Sequence, residues 1–125
     1  IPEIDLGLPL TWGAIPRLVR ELGPARTREL VMTGAHFAAD EAERWGFLNR
    51  VVPADELDAA THALARSLAE KPAIGLRATK QQVAIAAEQM ASTIHADAEA
   101  VYLVAAQRDD EARQTAARYL DARGR

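Results

Sequence analysis

Apolar side chains recur at helical spacing along most of this chain. Ile15, Leu18, Val19 and Leu22 form a first stripe that stops at Gly23, a residue suited to ending a helix. Pro24 fits the first turn of a second short helix, with Leu30 and Val31 on its face and Thr33-Gly34 at its end. Asp40 and Glu43 have capping-box spacing and predict a third short helix through EAERW, closed by Gly46. FLNRVVP, with Val51 and Val52 before Pro53, is the one convincing strand. From Leu57 onward the pattern is helical throughout. Leu57, Thr61, Leu64 and Leu68 mark one stripe, ended by Lys71-Pro72. Leu76, Thr79, Val83, Ala86 and Met90 mark the next, and Ile94, Ala98, Val101 and Ala105 a third, widened by Leu103 and Val104. A last helix beginning near Asp109 or Asp110 carries Ala112, Ala116, Tyr119 and Leu120.

A lone strand cannot satisfy its own backbone edges. The pattern is therefore that of the helical tail of a larger α/β domain, and a self-contained helical bundle is the alternative. Composition points the same way. Hydrophobic residues reach 49% of the 125 residues but aromatics only 5%, and much of the apolar content is alanine. Small side chains allow close helix packing yet bring little apolar bulk to a core, so a partner surface is expected to contribute stability. Ile1 opens the chain without a methionine, which is expected of a fragment of a longer protein.

Charge and residue content narrow the chemistry. A formal charge of −3 is too balanced for a nucleic-acid binder. The absence of cysteine excludes disulfides and thiolate metal sites. No apolar run reaches the roughly 18 residues of a membrane span, and none has the form of a signal peptide. The expected setting is cytoplasmic, with no membrane partner. His36, His62 and His95 are far apart and lack metal-ligand spacing, so surface or packing roles are expected for them. Ser67 and Ser92 lack the context of a nucleophile elbow.

Glu3 stands apart by its setting, a Pro/Gly-punctuated loop from Ile1 to Pro9 with apolar neighbours. A carboxyl group buried in such a loop suits acid or base work near neutral pH, because desolvation favours its uncharged form. A solvated loop glutamate is the competing reading on composition alone.

Four stretches change that balance: PEIDLGLPLTWGAIPRLVRELG, ARTRELVMTG, AADEAERWGFLNRVVPADEL and LARSLAEKPAIGLRATKQQV. In this order they resemble the C-terminal part of the enoyl-CoA hydratase/isomerase, or crotonase, superfamily, and they cover most of residues 2 to 83. The resemblance implies an α/β spiral fold of the ClpP/crotonase kind, present here mainly as its helical C-terminal portion with at most one or two short strands. Residues 1–54 would end the core, with the active-site loop, short helices and the strand. Residues 55–125 would form a helical region for packing and oligomerisation.

The same resemblance implies that Glu3 is one of two catalytic carboxylates of a hydratase. It would give a proton to the α-carbon of a 2-enoyl-CoA while two backbone N–H groups hold the thioester oxygen and water adds to the β-carbon. Leu8 and Trp12 are the implied substrate contacts, Trp12 because it stands where many hydratases have a glycine pair and can reshape the wall near the acyl group; filling space between loop and helix is its equal alternative. Tyr119 and Arg123, in RYLDARGR, partly match a terminal aromatic and basic cluster that reaches coenzyme A in some members; packing competes as the role of Tyr119. Arg17, Leu18 and Lys80 match family positions and are assigned structural or surface roles.

No cofactor is required on this reading, since the substrate arrives as a coenzyme A thioester. The implied partners are an acyl-CoA, a missing N-terminal half or companion chain, and copies in a homo-trimer or hexamer. Because the second glutamate and the oxyanion-hole peptides should precede Ile1, the isolated chain is expected to be inactive. Isomerisation or another crotonase reaction, or a non-catalytic truncated paralogue acting as an interaction protein, are the alternatives.

Overall fold

A computed structural model describes residues 1–124. The fold is largely helical, and no strand occurs among the described residues. Six helices follow one another: α1 (Ala14–Thr33), α2 (Ala39–Arg44), α3 (Leu57–Ala69), α4 (Ala73–Met90), α5 (Ala100–Arg108) and α6 (Asp110–Asp121). Short 3₁₀ turns at Ala54–Glu56 and Ala96–Glu99 lead into α3 and α5. They gather into two compact units, one formed by Ile1–Ala38 with the stretch from Ala91 onward, the other by Ala39–Met90.

In the first unit, the two helices predicted on either side of Gly23 join end to end as the kinked helix α1. Gly23 adopts φ 75°, ψ 163°, a combination essentially reserved for glycine, and Pro24 follows without an N–H to donate. Thr27 is buried just after the kink, and its hydroxyl donates to the Gly23 carbonyl at 2.9 Å. Leu22 and Leu30 supply buried apolar contact on the two arms. Gly34 ends α1 in the left-handed region, with its N–H donating to the Leu30 carbonyl. At the other end of the unit, Asp109 caps α6 by accepting from the Ala112 N–H at 2.8 Å.

The third predicted stripe does not form one helix. The chain turns after α4, where the Ile94 N–H donates to the Ser92 hydroxyl and the Ala96 N–H to the Thr93 carbonyl. A serine and a threonine next to each other offer the backbone local partners that compete with helix. Ile94 therefore lies outside the regular helix, and α5 begins only at Ala100.

In the second unit, the capping box is replaced by other bonds. Asp40 lies inside the first turn of α2, and the Arg44 guanidinium hydrogen-bonded to it at 2.7 Å holds its carboxyl below the usual carboxylate range. The Glu43 carboxylate accepts instead from the Val51 N–H at 2.7 Å. This corrects the strand predicted for FLNRVVP. The N–H groups of Phe47 and Leu48 donate to the Ala42 carbonyl, so the segment wraps the end of α2, and no neighbouring strand is there to pair with it. The stripes of α3 and α4 form as helix, but Leu57, Leu64, Leu68, Ile74 and Val83 remain exposed.

Candidate active site

The loop before α1 is wound into overlapping turns. The Pro2 carbonyl accepts from the N–H groups of Asp5 and Leu6, and the Glu3 carbonyl from those of Leu6 and Leu8, at 2.9–3.2 Å. Two glycines seat this loop within its unit. Gly7 has φ 67°, and a Cβ there would stand 2.3 Å from the Ala112 carbonyl oxygen of α6. Gly34, at the end of α1, lies against the Asp5 carboxylate, and a Cβ there would come tightly to 3.0 Å from Asp5 Oδ2. The segment just after Glu3 is thus held at two points, Asp5 and Gly7.

The Glu3 side chain is half-buried, and its Oε2 is buried without a hydrogen-bond partner among the described residues. A carboxyl oxygen kept from water with no donor is costly. The Glu3 side chain is therefore partly withdrawn from water rather than fully solvated.

Beyond the turns, Trp12 and Gly13 both take left-handed backbone, at φ 63° and 66°. A tryptophan there is strained by about 1 kcal/mol relative to glycine. Three contacts hold the turn: Arg17 Nη1 donates to the carbonyls of Trp12 and Gly13 at 3.1 and 3.3 Å, and the Gly13 N–H donates to Glu99 Oε2 at 2.9 Å. Arg17 thus has a structural role, tying the turn to the start of α1. Glu99 is the residue that sequence reasoning missed, since nothing in its local pattern links it to a glycine 86 positions earlier.

Leu8 and Trp12 fall in the same unit as Glu3 but line different recesses. Leu8 faces a small apolar groove of about 190 Å³ with Leu6, Ala106, Ala112 and Ala116. Trp12, 65% exposed, walls a recess of about 410 Å³ together with Thr11, Ala96, Asp97, Ala100 and Leu103. Thr11 was also not singled out from sequence; a hydroxyl residue inside the apolar run LGLPLTW was the available signal. Tyr119 and Arg123, at the end of α6, stack on each other, the guanidinium 4.0 Å from the ring centroid. Lys80 is an exposed residue of α4, and His36, His62 and His95 are exposed. Among the described residues no cluster of three acidic or histidine side chains is placed to hold a metal ion, and no helix is long and apolar enough to cross a membrane.

The chain belongs to the enoyl-CoA hydratase/isomerase family, whose model matches residues 1–124. It is 37% identical over 87 residues to the short-chain-enoyl-CoA hydratase of Clostridioides difficile, covering 70% of this chain and 56% of that one. It is 37% identical over 81 residues to the mevalonyl-coenzyme A hydratase of Aspergillus fumigatus, covering 65% and 30%. A crystal structure of a Streptomyces avermitilis protein, provisionally described as an enoyl-CoA hydratase, matches with a TM-score of 0.77 and 36% identity, over 94% of this chain and 41% of the other. The chain thus spans between about a third and somewhat over half the length of these relatives.

Proposed function

We propose that this chain is the C-terminal part of an enoyl-CoA hydratase and that Glu3 is the acid of its reaction. The buried, unpartnered Glu3 oxygen on a locked turn, in a chain of this family, carries the reading. In the complete enzyme, water adds to the β-carbon of a 2-enoyl-CoA, and the thioester oxygen takes up the enolate charge. The Glu3 carboxylic acid then transfers its proton to the α-carbon and becomes the carboxylate, while a second carboxylate takes the proton released by the water. The first 54 residues end the catalytic core on this reading, and the helices after them pack against the rest of the polypeptide and its copies in a trimer or hexamer. The exposed apolar rows of α3 and α4 support that packing role.

Residues outside this chain supply the oxyanion donors and the second carboxylate, so the isolated polypeptide is inactive. Loss of a single oxyanion donor already costs about 3 kcal/mol of barrier. Hydration of crotonyl-CoA by the full-length enzyme, followed by loss of enoyl absorbance, tests the reading. Glu3→Gln is expected to lower kcat by about 10²- to 10⁴-fold with KM little changed. Turnover unaffected by that substitution removes Glu3 from the reaction.

A further inference from the structure

Trp12 and Gly13 are the central residues of a turn usually made by glycine or asparagine. Both have positive φ, and the Ala14 N–H donates to the Thr11 carbonyl at 3.2 Å, the pattern of a type I′ turn. A bulky residue at its first central position is strained, so the turn needs support from outside itself. That support comes from a segment 86 positions away. The 3₁₀ turn Ala96–Glu99 nearly eclipses residues three apart, which puts Ala96 and Glu99 on one face. Ala96 sits against Gly13, where a Cβ would come to 3.2 Å from the Ala96 Cβ. Glu99 Oε2 accepts the Gly13 N–H at 2.9 Å, and a carboxylate makes the stronger kind of acceptor for a backbone donor. Gly7, earlier in the loop, lies on the Ala112 carbonyl of α6. The stretch from Ala91 onward therefore grips the loop that carries Glu3 at two places, Gly7 and Gly13.

We infer that Glu99 is a positioning residue: its carboxylate holds the Thr11–Ala14 turn, and through that turn the loop bearing Glu3, in the geometry the reaction uses. The reaction rests on the hydratase reading, whereas the coupling of Glu99 to the turn does not. Between the wound turns and Gly13 the chain has little slack, because Pro9 restricts its own backbone and Thr11 is only 4% exposed. A shift at Gly13 is thus passed back along the loop. Misplacing a reacting group by about 1 Å costs on the order of 10²-fold in rate. Arg17 holds the carbonyls of the same turn and stays in place when Glu99 is lost, so the expected effect is partial.

The test uses the full-length enzyme, crotonyl-CoA and two substitutions at position 99. Glu99→Ala is expected to lower kcat, per folded enzyme, by about tenfold while KM changes less than about threefold. Glu99→Gln, whose amide oxygen still accepts from the Gly13 N–H, is expected to recover most of the lost kcat. In a Trp12→Gly background the turn no longer carries a strained residue, so removing Glu99 is expected to cost less than about threefold there. An unchanged kcat in Glu99→Ala, a Gln variant no better than the Ala variant, or an equal loss in the Trp12→Gly background overturns the inference. Melting temperatures follow the same cycle and decide it where Trp12→Gly turns over too slowly to compare. Glu99→Ala is then expected to lower the melting temperature of wild type clearly more than that of Trp12→Gly, and equal falls reject the coupling. If wild type does not hydrate crotonyl-CoA at all, the hydratase reading is what fails, and the melting cycle still judges Glu99.

Discussion

Gly7 shows how much a single residue contributes to holding Glu3. Its positive φ is one requirement, and its approach to the Ala112 carbonyl of α6 is another. Alanine there meets a backbone atom at 2.3 Å, which cannot move aside as the tip of a flexible side chain can. Gly7→Ala is expected to destabilise the full-length protein by about 2–4 kcal/mol, a fall in melting temperature of several degrees, and to reduce activity along with it. A variant with unchanged melting temperature and activity shows that the loop does not need this seat. Trp12 illustrates the opposite case, a bulky residue retained in a glycine-like conformation. Its strain is offset by Arg17 and Glu99, which bind the backbone of the turn rather than its side chain.

Among the elements, α1 is the one whose form depends most on a backbone exception. Gly23 has open space around it, so a methyl group clashes with nothing, yet its φ/ψ pair excludes other residues. Gly23→Ala is therefore expected to cost about 1–3 kcal/mol through the backbone alone, measured by denaturant unfolding. A neutral result indicates that the kink is optional. Local signals of this kind were readable in the sequence: the Gly23-Pro24 break, the Gly34 end of α1, and the Asp109 start of α6 each depend on residues within a few positions of one another. FLNRVVP was not readable in the same way, because a strand exists only when a neighbouring strand accepts its hydrogen bonds. Its N–H groups went to the α2 end and to Glu43 instead. The candidate site divides along the same line. The ordered loop that carries Glu3 was legible from its prolines and glycine, whereas the tie from Glu99 to Gly13 arises only when distant segments meet.

On the scale of the molecule, the notable quantity is the total surface left uncovered. Two independently compact bodies with the residue counts of the two units would together expose about 7,900 Å², whereas the chain exposes 9496 Å². The surplus, roughly 1,600 Å² on this chain alone, is about twice what one partner contributes to a standard stable protein interface. Among the described residues no large side chain is fully buried, and leucines of α3 lie in the open in a row. Without further polypeptide to cover such rows, the chain has little beyond helix propensity and a few buried contacts to oppose its conformational entropy. Expressed alone, the 125-residue polypeptide is expected to bind a hydrophobic dye and to melt broadly, or else to self-associate. A sharp two-state transition in a dye-silent monomer contradicts this view of its surfaces.

Exchange at the α-carbon tests the role of Glu3 without any need for water addition. Full-length enzyme incubated with butyryl-CoA in deuterium oxide is expected to introduce deuterium next to the thioester. Glu3→Gln is expected to slow that exchange at least a hundredfold while binding butyryl-CoA as before. Exchange at the wild-type rate in that variant means that another group handles the α-proton, and the assignment of Glu3 as the acid is then wrong.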